Sequence, residues 1–317
     1  MAKFALIGAA GYIAPRHMKA IQETGHALVA ALDKNDSVGI IDSYFPEAHF
    51  FTEFERFDRH IDKLRRSKEG VDYISIASPN YLHDAHIRFS LRNNAHAICE
   101  KPLVLNPWNI DGLLDIERES GKKVFNILQL RLHPSIVQLR DRVAAALSKN
   151  ADQKFDVDLT YLTSRGNWYH SSWKGDENKS GGIATNIGVH FFDMLSWIFG
   201  DLQQSSVHVR EADVNAGYLE FENARVRWFL SINYDYIPDE VKRDGKRTFR
   251  SITVDGEEVE FSGGFTDLHT LSYQNILAGG GYNLESARSS IEIVHHIRQA
   301  ALASLGSTVH PFVHRLG

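Results

Sequence analysis

The feature that most constrains this chain is its opening, where a short apolar strand, "KFALI" (3–7), runs into "GAAGYIAPRHMKAIQETG" with Gly8 and Gly11 ahead of a helix ending near Gly25. Strand, glycine turn and helix in that order begin a parallel βαβ unit, because a parallel neighbour is reached by a crossover and not by a hairpin. The neighbour follows as "ALVAAL" (27–32), which ends at Asp33, and further apolar strands come at "VDYISIASP" (71–79) and "HAICEKP" (96–102) after helical segments. Apolar strands alternating with helices predict a doubly wound parallel sheet. A helix over 107–121 and a strand over 123–130 complete this half, giving a first domain over residues 1–125.

The pattern then changes. From residue 155 the strands are longer and alternate in polarity: "FDVDLTYLTSR", "AGYLEFENARVRWFLSIN" and "RTFRSITVDGEEVEFSG", whose Asp255-Gly256 is a type I′ hairpin signal. With helices expected over 133–148, 186–199 and 284–303, residues 126–317 read as a second α/β domain on an open, largely antiparallel sheet. A chain of 317 residues with 43% apolar content sustains two such cores. Its net charge of −5, from 35 basic and 40 acidic residues, lacks the basic excess that nucleic acid demands, so a small-molecule partner is expected. No run approaches the apolar length of a membrane span, and the apolar start is too short for a secretory signal, so neither a membrane nor export is expected. The single cysteine, Cys99, rules out an intrachain disulfide and a cysteine zinc cage, which suits a reducing cytoplasm; the Asn178-Lys179-Ser180 glycosylation pattern reads as chance.

Five stretches carry chemistry. A pyrophosphate needs backbone N–H groups at a helix start with no side chain in the way, which makes Gly8, Ala10, Gly11, Tyr12 and Ile13 the expected cofactor-binding turn. Its spacing is Gly8-x-x-Gly11-x-x-Ala14, with Ala9 where the stricter G-x-G-x-x-G/A pattern has its first glycine. A plain helix-start turn is the alternative. Asp33, 22 residues beyond Gly11, is placed to accept hydrogen bonds from an adenosine ribose and to repel a 2′-phosphate, favouring NAD over NADP, unless it is a simple turn residue. In "SPNYLHDAHI" (78–87), Ser78, Asn80 and His83 are expected at the carboxyl edge of the sheet, as ligand contacts or as helix caps. His83 and His86 stand at i, i+3, but the pair lacks the further acidic ligands of a metal site, so no metal is expected.

Glu100-Lys101-Pro102 ends an apolar strand with a charged pair, and desolvating both charges is costly unless each is paired or used. A surface salt bridge is the alternative, but the place at the carboxyl edge favours use, and Pro102 restricts Lys101 to extended geometry. On helix 185–200, Asn186, His190, Asp193 and Trp197 recur at i, i+4, i+7 and i+11 and share a stripe. His190 is a candidate proton acceptor with Asp193 orienting it, the alternative being a structural histidine. The segment 163–182, with Ser164, Arg165, Asn167, Trp168, Tyr169, Trp173 and Lys174, reads as a grip on a polar, anionic ligand or else as a surface loop.

The glycine turn, the E-K-P after a strand and Gly188-Val189-His190-Phe191-Phe192-Asp193 on a later helix together resemble the Gfo/Idh/MocA family of NAD(P)-dependent sugar and polyol oxidoreductases. More narrowly, "GAAGYIAPRHMKAI", "SPNYLH", "ICEKPLV", "NILQLRLHP", "LTYLTSRGNWYHSSWKGD" and "ATNIGVHFFDML" resemble the group that oxidises C3 of UDP-N-acetylglucosaminuronic acid for diacetamido-uronic acids of bacterial surface polysaccharide such as O-antigen. The resemblance implies an N-terminal Rossmann domain, a C-terminal domain that mediates oligomers, NAD as cofactor and a UDP-sugar uronate as substrate lying between the domains. It assigns Lys101 and His190 to the reacting carbon, with Glu100 placing the lysine, and leaves open which of the two is the base. Arg165, Asn167, Tyr169, Lys174 and Asn186 are then expected substrate contacts, with Arg16 or Arg131 reaching the carboxylate or diphosphate. Within the family, a free sugar or inositol is the rival substrate, and a non-catalytic NAD-binding regulator the rival role. A dimer or tetramer is expected, on the further ground that Val226, Trp228 and Leu230 would leave an apolar sheet face in need of cover.

Overall fold

The computed structural model describes residues 1–261 and 267–316. The chain divides into two compact units, Met1–Gln129 with Thr266–Arg288, and Leu130–Phe265 with Ser289–Gly317. A cut at 125/126 leaves out the return of 266–288 to the first unit.

Six strands form the first unit: β1 (Lys3–Ile7), β2 (Ala27–Leu32), β3 (His49–Phe51), β4 (Tyr73–Ile76), β5 (His96–Cys99) and β6 (Val124–Asn126). They lie in the order β3-β2-β1-β4-β5-β6, and each pairing is parallel. Phe4, Leu6, Ile74, Ile76, Ala97 and Ile98 are sealed from solvent, as the central strands of a sheet covered on both faces must be. Burying each large apolar side chain contributes about 1.5–3 kcal/mol. The chain winds outward from β1 through β2 and β3, then restarts on the other side at β4. That reversal puts the loops after β1 and β4 side by side at the switch point, where open parallel sheets bind ligands.

Helix Ala14–Glu23 follows the glycine turn, and helix Leu268–Leu277 packs against it. Tyr273 and Ile276 of the later helix join Phe4, Met18 and Ile21 in one core cluster. This later helix is invisible as an amphipathic pattern because His269, Thr270 and Ser272 are buried along with its apolar residues.

The second unit has strands β7 (Phe155–Thr163), β8 (Leu202–Arg210), β9 (Val214–Phe221), β10 (Ala224–Ser231), β11 (Thr248–Val254) and β12 (Glu257–Glu258), in the order β12-β11-β7-β10-β9-β8. Pairing is antiparallel except between β7 and β10. The stretch 216–233 is a hairpin and not one strand: β9 and β10 meet across Glu222-Asn223. Asp255 and Gly256 have φ of 52° and 82°, the pair of positive values that a type I′ turn requires.

Sheet alternation overturns one expectation. Val226, Trp228 and Leu230 are fully buried within the chain itself. Trp228 meets Phe192 of helix Val189–Phe199 edge to face at 5.4 Å, so this face already has its cover. On the opposite face Arg225 and Arg227 pair with Asp156 and Asp158, and Phe229 packs on Tyr236 and Phe312. Those three residues therefore supply no argument for a partner subunit. Among the described residues no helix is long and apolar enough to cross a membrane.

Candidate functional site

In the first unit the chemistry gathers at the carboxyl edge of the parallel sheet. Gly8 has φ 93°, and a Cβ there would lie 2.5 Å from the Ala77 carbonyl and 2.7 Å from the Ser78 nitrogen, so the loop after β1 abuts the loop after β4 only because residue 8 has no side chain. The Gly8 and Ala9 N–H groups donate to Leu32 O, and the Gly11 N–H to Gly8 O. Tyr12 is exposed, while Ile13 and Arg16 are half-buried at the start of the helix.

Asp33 serves this turn directly. Its Oδ2 accepts from the Ala10 N–H at 2.9 Å, and its Oδ1 from the Asn35 N–H at 2.9 Å. The carboxylate thus ties the end of β2 to the glycine turn, so the turn-residue reading holds at the same position as the ribose reading. The Ser78 hydroxyl meets His86 Nδ1 at 2.8 Å, and Asn80, buried, begins a 3₁₀ turn at Asn80–Leu82. His83 places Nδ1 2.7 Å from Pro102 O and Nε2 2.9 Å from Ser78 O. A neutral ring donates one of these at a time. Burial lowers the His83 and His86 pKa values, His86 to about 4.

The Glu100-Lys101-Pro102 turn is pinned from several sides. Asn126 Nδ2, on the neighbouring strand, donates to Cys99 O and Glu100 O. Glu100 is buried, and its Oε1 is shared by His17 Nε2 at 3.0 Å and His269 Nε2 at 2.7 Å, while its Oε2 accepts from the Lys101 N–H at 3.3 Å. The Lys101-Pro102 peptide is cis. Burial alone would raise the Glu100 carboxyl, but the hydrogen bonds from His17 and His269 outweigh it and hold the pKa well below the usual carboxylate range. Behind His17, Tyr273 Oη lies 2.7 Å from Nδ1 and 2.6 Å from Ser75 Oγ. Ser75, His17, His269 and Tyr273 escaped the sequence reading. Their signal is polar residues set among apolar neighbours on buried elements, which gains meaning only when the elements are brought together.

In the second unit, a π-helical turn, Ala184–Gly188, leads into helix Val189–Phe199. Such turns concentrate at functional sites. The extra residue per turn takes Asn186 off the regular α-helical stripe expected to join it to His190, Asp193 and Trp197. Asn186 Nδ2 instead donates to the buried Tyr169 hydroxyl at 2.7 Å. His190 is partly exposed. Asp193, expected to orient His190, gives both oxygens to Arg131, at 3.0 and 2.7 Å. Burial raises the Asp193 carboxyl against the pull of Arg131. Arg131, expected at a substrate anion, is the partner of this carboxylate and lies with Arg140 over the Trp197 ring.

The 163–182 segment contains the short helices Trp168–Ser171 and Glu177–Ser180. Ser164 is buried and accepts from Arg247 at 3.0 Å, whereas Arg165 and Asn167 are exposed. Lys174 lies 4.0 Å over the Trp173 ring, and burial together with nearby Arg165 lowers its pKa. Trp168 stays 56% exposed and Trp173 is half-buried.

A parallel sheet with a side-chain-free turn at its switch point, an aspartate fixed at the end of β2 and a mixed-sheet second unit define a dinucleotide-dependent oxidoreductase of the two-unit kind. The profile of the Gfo/Idh/MocA oxidoreductase family, NAD-binding Rossmann fold, matches residues 2–127, and that of the family's C-terminal alpha/beta domain matches 153–242; the chain belongs to this family. It is similar to the WlbA (WbpB) dehydrogenase of Thermus thermophilus in complex with NAD and alpha-ketoglutarate, at 54% identity and TM-score 0.94, covering 98% of this chain and 100% of that one. The same dehydrogenase in complex with NAD and UDP-GlcNAcA gives 53% identity, TM-score 0.94 and the same coverage. The D-glucoside 3-dehydrogenase of Escherichia coli is 26% identical over 129 residues, 41% of this chain and 36% of that protein. The chain spans 36% to 49% of the length of four curated relatives that it matches.

Proposed function

We propose that this chain is an NAD-dependent dehydrogenase that oxidises the C3 hydroxyl of UDP-N-acetylglucosaminuronic acid to the 3-keto sugar nucleotide. The observation that carries this reading is 53% identity, over 98% of the chain, to a dehydrogenase holding NAD and UDP-GlcNAcA. The first unit's residues fit the cofactor: Gly8 lets the turn close against the loop after β4, the Tyr12 and Ile13 N–H groups at the start of helix Ala14–Glu23 are the turn's candidates for a pyrophosphate, and Asp33 at the end of β2 is the expected ribose contact. When bound, NAD accepts the hydride that leaves C3.

His190 takes the hydroxyl proton, and Lys101 hydrogen-bonds the same oxygen and favours its developing negative charge. The reverse assignment, with Lys101 as base, belongs to the same proposal. Arg165 and half-desolvated Lys174 are a cationic pair that gains from a diphosphate or carboxylate, which favours a sugar nucleotide over a free sugar or inositol. A role in bacterial surface polysaccharide synthesis, a cytoplasmic location and a dimer or tetramer belong to this reading and rest on the family resemblance.

The test is turnover by purified protein with NAD and UDP-N-acetylglucosaminuronic acid, with alpha-ketoglutarate present so that bound NADH can be reoxidised. Mass spectrometry should find a product lighter by two hydrogens. Lys101→Ala and His190→Ala should each lower kcat by about 10²-fold or more. Turnover of free sugars or inositol but not of the sugar nucleotide would move the reading to the rival substrates, and NAD binding without turnover of any of them would make the chain a regulator.

A further inference from the structure

We infer that His17 and His269, backed by Tyr273 and Ser75, form a positioning network that keeps Glu100 ionised, and that this fixed anion holds Lys101 in its cationic, hydrogen-bonding state. The inference rests on the dehydrogenase reading for its meaning, though not for its geometry. The contacts form a chain: Ser75 Oγ to Tyr273 Oη at 2.6 Å, Tyr273 Oη to His17 Nδ1 at 2.7 Å, His17 Nε2 to Glu100 Oε1 at 3.0 Å, and Glu100 Oε1 to His269 Nε2 at 2.7 Å. One proton assignment satisfies it throughout. Both imidazoles are neutral and donate from Nε2 to the carboxylate, Tyr273 donates to His17 Nδ1, and Ser75 donates to Tyr273. His269 Nδ1 is buried and has no hydrogen-bond partner, as expected of a ring whose only proton is committed to Glu100.

Every member is nine-tenths or more buried. The other groups that bear on Glu100 are His83 from helix His83–Arg92, and Cys99 and Lys101 on its own strand end. Burial lowers the His17 pKa and raises the Cys99 thiol, so both are neutral near pH 7. The second oxygen turns back on the amide of Lys101, the adjacent residue. Lys101 is half-buried on the turn that the carboxylate anchors, and an anion fixed in that turn favours the ammonium.

His17, Glu100 and His269 are also a set of metal-ligand types, with one ligand atom from each within 4.8 Å of the others. The contacts of 2.7 and 3.0 Å are hydrogen-bond lengths. A bound zinc would instead stand about 2.0–2.2 Å from each ligand atom and separate those atoms.

The experiment is competitive acetylation of Lys101 in the NAD-free full chain across pH, read by mass spectrometry, which requires no turnover. In Glu100→Gln the acetylation midpoint should fall by about one pH unit. His269→Ala and His17→Ala should move it the same way by less, and His269→Gln, whose amide can still donate, should restore it. With turnover, kcat should fall while KM for NAD changes little. Unchanged midpoints in folded Glu100→Gln and His269→Ala would overturn the inference, as would stoichiometric zinc in the wild type. Wild-type protein that shows the shifts but no turnover would overturn only the function.

Discussion

At the scale of single residues, the sharpest constraint is the missing side chain at position 8. A Cβ there meets Ala77 backbone at 2.5 Å, at a φ of 93°. Positive φ alone costs a non-glycine residue about 1–2 kcal/mol. Gly8→Ala should therefore lower the melting temperature and, by parting the two loops, weaken NAD binding by about tenfold or more, as measured by calorimetric titration. Glu100-Lys101-Pro102 was legible because a charged pair at the end of an apolar strand is anomalous within one short window. Its partners were not, since His17 and Tyr273, which touch, are 256 positions apart.

At the scale of elements, the turn Ala184–Gly188 sets how its helix meets the sheet. A Cβ at Gly188 would lie 2.5 Å from Leu230 Cδ1 and 2.9 Å from Phe192 Cε2. Gly188→Ala should cost about 1–3 kcal/mol in denaturant unfolding. Adding Leu230→Ala should recover part of that loss, because it removes the clashing atom; strictly additive losses would show that the strain lies elsewhere. Five of the six parallel strands were readable, as were Asp255-Gly256 and the helix bearing His190, because each is a local pattern, whereas the three-residue β3 was too short to show one. The helix Leu268–Leu277 was not, because a face that buries His269 and Ser272 has no apolar stripe, and the π turn was not, because it breaks the periodicity by which helical faces are read.

At the scale of the whole molecule, buried histidines set the response to acid. His86 and His310 have pKa values lowered to about 4 by burial, and burial also lowers those of His17 and His83. Between about pH 6.5 and 4 the unfolded chain binds protons that the folded chain refuses, so stability falls as pH falls through that window, by up to about 3 kcal/mol for His86 when complete. Glu100 adds to the loss at lower pH: its depressed pKa stabilises the fold above the ordinary carboxylate value, and this is lost as pH falls through the low folded value. Melting temperature should therefore begin to drop below about pH 6.5, ahead of carboxylate titration, and His86→Gln should flatten the slope between pH 6 and 4.5. Sedimentation should report a dimer or tetramer.

The two-way grip of Asp33 bears on coenzyme engineering. A common route to a phosphorylated coenzyme replaces the acidic residue at this position with a small or basic one. Here that exchange would also release the Ala10 amide and the Asn35 turn. Redesign would then need a second substitution to re-anchor the loop, and single exchanges at position 33 should yield enzymes poor with either coenzyme.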